Sequence, residues 1–112
     1  MNIKRGGIYL ACLDPTVGAE INKTRPVVVV SNNSNNDNNF TITILPITSN
    51  TTKIYPFEVF IPQDMGNLTK DSKIKADQIR TIDKARLVKE IGILPIEKII
   101  EMENAIKIHL EL

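Results

Sequence analysis

The chain has 112 residues, a formal net charge of +1, one cysteine, one histidine and no tryptophan. That length suits one domain spanning residues 1–112, and dimerisation would help so modest a core to bury more apolar surface. Near-neutral charge confines any nucleic-acid footprint to a local patch, and a lone Cys12 excludes an intrachain disulfide or a cysteine-based metal cluster. The first residues carry no leader-like apolar run and no stretch suits a membrane span, so a cytoplasmic protein is expected.

Gly7 to Cys12 reads as a first strand, with Cys12 a buried thiol. Leu13 to Thr24 is a long polar connection through Asp14-Pro15-Thr16 and a flexible Gly18. Loops of that length in a small domain are usually functional or mobile. The connection ends at Arg25-Pro26, followed by Val27 to Val30. Consecutive β-branched residues bounded by turn chemistry predict a strand buried on both faces, running to about Ser31. Pro26 fixes its own φ and biases Arg25 towards extended backbone, so the guanidinium should project from a rigid strand entrance. A planar, permanently charged donor fork mounted there suits a phosphate or a carboxylate, although an arbitrary arginine more often makes a surface ion pair.

Ser31 to Asn39 (SNNSNNDNN) is low in complexity and reads as a solvated, disorder-prone hairpin loop without chemistry. Phe40 to Ile47 alternates as a third strand and leads into the hydroxyl cluster from Thr48 to Thr52. Pro56 to Ile61 is a fourth strand, and Ser72 to Ile82 alternates as a strand pair or one bent strand. A short strand around Val88 to Ile93 follows a brief turn at Lys84-Ala85-Arg86. Pro95 then opens a helix whose apolar Ile96, Ile99, Ile100, Met102, Ile106 and Leu110 pack on the sheet or meet a partner subunit. Many short strands and one terminal helix predict a mainly β (α+β), small, partly open antiparallel barrel with a C-terminal helix.

Chemistry is constrained by what the chain lacks. A single His109 excludes a two-histidine mechanism or a histidine-rich metal site, and no Walker motif or nucleophile elbow appears. Between Lys70 and Lys89, Lys73, Lys75, Arg80, Lys84 and Arg86 outnumber Asp71, Asp77 and Asp83. A basic strand region beside Arg25 would make a phosphate-backbone groove; scattered ion pairs on a solvated face are the alternative. Cleavage of RNA without a metal needs alignment of the 2′-hydroxyl, stabilisation of the phosphoryl oxygens and protonation of the leaving 5′-oxygen. An arginine, hydroxyls such as Thr48 and Ser49, and a carboxylate such as Asp77 are the right residue types for those tasks.

Several ordered pieces resemble the MazF/PemK (Kid) toxins of bacterial toxin–antitoxin systems. They are Arg5-Gly6 with Ile8-Tyr9, then Leu13-Asp14-Pro15-Thr16 with Gly18 and Glu20, then Arg25-Pro26-Val27-Val28. Pro46-Ile47-Thr48-Ser49, Asp77 to Asp83 with Arg86-Leu87, and Gly92-Ile93-Leu94 complete the set, which covers nearly the whole chain. The resemblance implies one toxin domain with an SH3-like, CcdB/Kid-type barrel, a homodimer, and a metal-independent, cofactor-free endoribonuclease acting on single-stranded RNA. It implies 2′,3′-cyclic phosphate (or 3′-phosphate) and 5′-hydroxyl ends, and inhibition by a cognate antitoxin whose disordered, acidic C-terminal tail lies along the RNA groove. By position it makes Arg25 and Thr48 catalytic, and Glu20, Ser49, Asp77 and Gln78 RNA-binding. Gly7 replaces a usual acidic residue and is expected to affect the strand start. Ala19 replaces the histidine of the Kid branch and Lys75 its arginine, so the Arg25/Thr48 scheme of the MazF branch is the better match. A CcdB-like gyrase poison would share the barrel but relies on a tryptophan near the C-terminus, absent here, and a non-catalytic RNA-binding barrel would lean on more exposed aromatics.

Overall fold

Alternation along each strand sorts side chains onto two buried faces. The computed structural model describes residues 1–112. Its strands are β1 (Gly7–Cys12), β2 (Thr24–Val29), β3 (Thr41–Thr48), β4 (Glu58–Ile61), β5 (Ser72–Lys75), β6 (Arg80–Asp83) and β7 (Leu87–Ile93). They form one open antiparallel sheet in the order β4-β5-β3-β2-β1-β7, with β6 also paired to β3. Val28 packs with Ile8, Leu45, Ile47 and Ile74 on one face, and Val27 and Val29 pack with Tyr9, Ile42 and Ile44 on the other. Those three valines have no exposed surface, as a strand buried on both faces requires.

The helix α2 (Ile96–Leu110) covers the first face through Met102 and Ala105. Its apolar residues divide: Ile99 and Ile106 lean on the core, whereas Ile96, Ile100, Ile108 and Leu110 stay exposed.

The strand β3 is the axis of the sheet, flanked on one side by β2 and on the other by β6 and then β5. Residues 72–83 therefore form one bent strand along β3, interrupted by a 3-10 turn at Ala76–Gln78. Ile44 faces Arg80 before the turn's insertion and Ile47 faces Ile74 after it, so three residues are added across the bend. The insertion removes Asp77 and Gln78 from the ladder and turns them towards the rim. Pro46 sits at the handover, where neither β5 nor β6 pairs with it and its missing N–H is least costly.

Two expectations from composition are corrected. Asn33–Asn38 is a short helix, α1, not a disorder-prone loop. Asn32 accepts from the Asn35 amide at 2.8 Å, and the nearly buried Asn36 donates to the Ser31 carbonyl at 2.9 Å. Asparagine disfavours helix interiors but caps helix starts, so a run of it supplies its own N-cap. Cys12 is exposed: it ends β1 on the face of the buried Ile8, but past the core cluster that covers Ile8. At Gly7, a Cβ would come within 2.7 Å of the Tyr9 ring and hydroxyl. That hydroxyl accepts from the Lys4 amide at 3.0 Å, so glycine makes room for the bond that ties down the entry to β1.

Candidate active site

Arg25 is the second residue of β2, and its Nε donates to the Asn22 carbonyl at 2.7 Å. It makes no ion pair, which leaves both terminal nitrogens as unused donors. The β2–β3 register sets Val27 opposite Pro46 and Val29 opposite Ile44. Continued two residues, that register sets Arg25 opposite Thr48 on the same sheet face. Arg25, Thr48 and Ser49 line one cleft of about 250 Å³, whose other wall includes Thr69, Lys70 and Ser72. No carboxylate lines it. Thr48 Oγ1 accepts from the Asn50 amide at 3.3 Å, so its own proton is available to an acceptor in the cleft. Two cations, four hydroxyls beside Thr48 and no acid make an anion site.

Glu20, Asp77 and Gln78 line a second cleft of about 510 Å³, together with Pro46 and Arg80. Pro46 and Thr48 lie two residues apart on one face of β3, so the clefts adjoin at a spacing of about 7 Å along the strand. The six residues singled out in the sequence thus divide three and three between neighbouring clefts.

The loop between β1 and β2 closes one side of the second cleft. Gln78 fastens it, donating to the Ala19 carbonyl at 3.2 Å and accepting from the Ile21 amide at 3.1 Å. Glu20 accepts from the Val17 amide at 2.9 Å and so shapes the loop's turn. Gly18 takes φ +56, and a Cβ there would meet nothing within 4 Å. Arg80 donates to the Leu13 carbonyl at 2.9 Å, and Arg86 to the Cys12 and Asp14 carbonyls at 3.1 and 2.6 Å. Both arginines brace the loop, Arg80 while also lining the second cleft, so of the two readings that local charge left open the free basic groove is not the one found.

Lys73 and Lys75 are also committed, both to Glu58, at 3.1 and 2.7 Å. Burial alone would raise the Glu58 carboxyl, but hydrogen bonds from Lys75, the Tyr55 amide and Lys73 outweigh it and hold the group below the ordinary glutamate value. Burial alone would lower Lys75, but its hydrogen bond to Glu58 and the charges of Asp77 and Glu58 raise it instead.

The largest hollow, about 720 Å³, lies elsewhere, between Arg5, Asn32, Glu103 and Ile106. Its one arginine is already spent on Glu103, at 2.9 Å, and on the Val30 carbonyl, at 3.0 Å. The exposed His109 lies in the last turn of α2, its ring 6.1 Å from that of Phe57. Sequence reading missed the Thr69–Ser72 wall, because the link before β5 carries no motif, and missed Glu58, whose burial only the β4–β5 pairing reveals.

The PemK-like, MazF-like toxin family of type II toxin–antitoxin systems matches residues 4–110. The chain belongs to this family. It is 39% identical over 115 residues to the endoribonuclease MazF9 of Mycobacterium tuberculosis, covering 98% of each chain. It is 40% identical over 111 residues to the endoribonuclease MazF of Staphylococcus epidermidis, covering 98% of this chain and 92% of that one. The fold is that of MazF from Deinococcus radiodurans, with a TM-score of 0.87 at 24% identity over 100% of this chain and 99% of the other. Every strand and helix described above falls within the matched residues, so both clefts belong to the toxin fold itself.

Proposed function

We propose that the chain is the toxin of a type II toxin–antitoxin pair and cuts single-stranded RNA as an endoribonuclease, with Arg25 and Thr48 at the scissile phosphate. The observation that carries this is the unpaired Arg25 guanidinium facing Thr48 in a cleft without carboxylates. Kinship with curated endoribonucleases at 39% and 40% identity supports the reaction class.

In this scheme the 2′-hydroxyl gives up its proton as its oxygen attacks the adjacent phosphorus, the P–O2′ bond forms, the P–O5′ bond breaks, and the departing 5′-oxygen takes up one proton. The products are a 2′,3′-cyclic phosphate, or the 3′-phosphate after its hydrolysis, and a 5′-hydroxyl. Negative charge grows on the non-bridging oxygens, where the free Arg25 nitrogens and the Thr48 hydroxyl donate. Ser49 holds the same strand, Lys70 neutralises a neighbouring phosphate, and Glu20, Asp77 and Gln78 take nucleotides in the adjoining cleft. Ala19 supplies no proton-transfer group there, so the imidazole of the Kid branch has no counterpart in this site. No cofactor is required.

The antitoxin's disordered, acidic C-terminal tail occupies the same face, its carboxylates taking the place of phosphates on Arg25 and Lys70. The toxin works in the cytoplasm as a homodimer, and residues 1–112 act as one domain. Cleavage of a long single-stranded RNA in EDTA, with the new ends mapped, tests the proposal. Cuts with 5′-hydroxyl ends are expected; intact RNA beside folded protein, or cutting only with added metal, would overturn it.

A further inference from the structure

Glu58 is the charged group the cleavage scheme does not use. Its side chain has no exposed surface, although it stands on β4 at the sheet's edge. Three donors tie it into a chain of contacts. Oε1 accepts from Lys73 Nζ at 3.1 Å and from the Tyr55 amide at 2.9 Å, and Oε2 accepts from Lys75 Nζ at 2.7 Å. Lys73 Nζ also donates to the Lys53 carbonyl at 2.7 Å. Lys75 Nζ lies 3.6 Å from Asp77 Oδ1, a buried oxygen with no hydrogen-bond partner.

The register fixes where this chain of contacts runs. Lys73 is opposite Thr48 on one side and Phe60 on the other, and Glu58 is opposite Lys75. The charged residues therefore share the sheet face of Thr48, on the β4–β5 side of the clefts. One end grips the loop that follows Ser49, at Lys53 and Tyr55. The other reaches Asp77 on the 3-10 turn. A buried ion cluster is a poor way to gain stability, since apolar residues of similar volume usually serve as well or better. What a charged cluster does supply is fixed geometry among the groups it joins.

We propose that Glu58 is a positioning residue that sets cleavage-site selectivity, by holding the Lys53–Tyr55 loop and the Asp77 carboxylate at a fixed separation on either side of the scissile phosphate. The inference rests on the reading of this face as the RNA site. Nucleotides flanking the cut meet two walls locked to each other, and a base that fits one wall but not the other is rejected. Lys73 is the cross-strand neighbour of Thr48, but neither Arg25 nor Thr48 makes a side-chain hydrogen bond to the cluster, so the bond-breaking step does not run through Glu58.

The test compares wild type, Glu58→Gln and Lys73→Met on a long single-stranded RNA, with all cut sites mapped, and on a short RNA carrying the strongest site. Glu58→Gln keeps an acceptor for the Tyr55 amide but loses the charge that holds both lysines. Its discrimination between the strongest and weaker sites should fall about tenfold, the scale of one charged hydrogen bond, with KM raised and kcat within about threefold of wild type. Lys73→Met keeps the Glu58–Lys75 pair and releases only Lys53, so selectivity should relax on one side of the cut alone. An unchanged site profile in the folded variants, with only a lower Tm, would overturn the inference and leave the cluster merely structural. Should Glu58→Gln fail to fold, Lys73→Met decides by the same criterion. A wild type that leaves RNA intact would overturn the function itself; an active wild type with unmoved variant profiles overturns this inference alone.

Discussion

At the residue scale, the chemistry of the site depends on which cations are already engaged. Arg80 and Arg86 are spent on loop carbonyls and Lys73 and Lys75 on Glu58, which leaves Arg25 and Lys70 to face the anion cleft. Arg25 was legible in the sequence because Pro26 and the valines define its mounting. Lys70 was not, since it reaches the cleft of Thr48 only when β5 folds back along β3. Lys70→Ala should make log(kcat/KM) fall less steeply with log[salt], by about 0.7 for one lost phosphate contact on a single strand. Lys70→Arg should restore the wild-type slope. Identical slopes for wild type and Lys70→Ala would remove Lys70 from the RNA path.

At the element scale, the bend between β5 and β6 creates the second cleft. Period-two alternation reveals the strand on each side of the bend, but the three inserted residues at Ala76–Gln78 leave no periodic trace. Their effect is to turn Gln78 onto the loop between β1 and β2, an attachment visible only across distant sequence. Gln78→Ala removes two neutral hydrogen bonds of about 1 kcal/mol each. Faster amide exchange at Ile21 and a KM raised about fivefold or more should follow; unchanged exchange at Ile21 would show that the loop is held by something else. The asparagine run misled because each residue is a weak helix former, whereas the capping bond from Asn32 is a property of the whole segment.

Glu58 gives the same scale a pH dependence. Its carboxyl lies below its ordinary value in the folded chain, so its contribution is complete above the unfolded value of about 4.3 and is lost as pH falls through the lower folded value. Glu58→Gln lacks that term. The stability gap between wild type and Glu58→Gln should therefore be widest near neutrality and shrink below about pH 4.3 in denaturant titrations. A gap independent of pH would mean that Glu58 is not ionised in the fold.

At the scale of the whole molecule, the antiparallel strands and terminal helix followed from alternation and from the family resemblance, while the strand order and the unpartnered surface did not. Ile96, Ile100, Ile108 and Leu110 remain exposed on α2, and Val88 and Ile93 on β7. So much apolar surface on a small chain fits a second copy, and light scattering should give twice the chain mass; a monomer at micromolar concentration would contradict it. Dimer or monomer, the central claim concerns Arg25. The most direct measurement sets wild type beside Arg25→Ala on one single-stranded RNA in EDTA, with thermal unfolding followed in parallel. Loss of one transition-state donor should slow cleavage by about 10²–10³-fold while Tm stays within a few degrees, because the side chain makes one exposed hydrogen bond. Cleavage at an unchanged rate, or a collapsed fold, would contradict the assignment of Arg25 to the scissile phosphate.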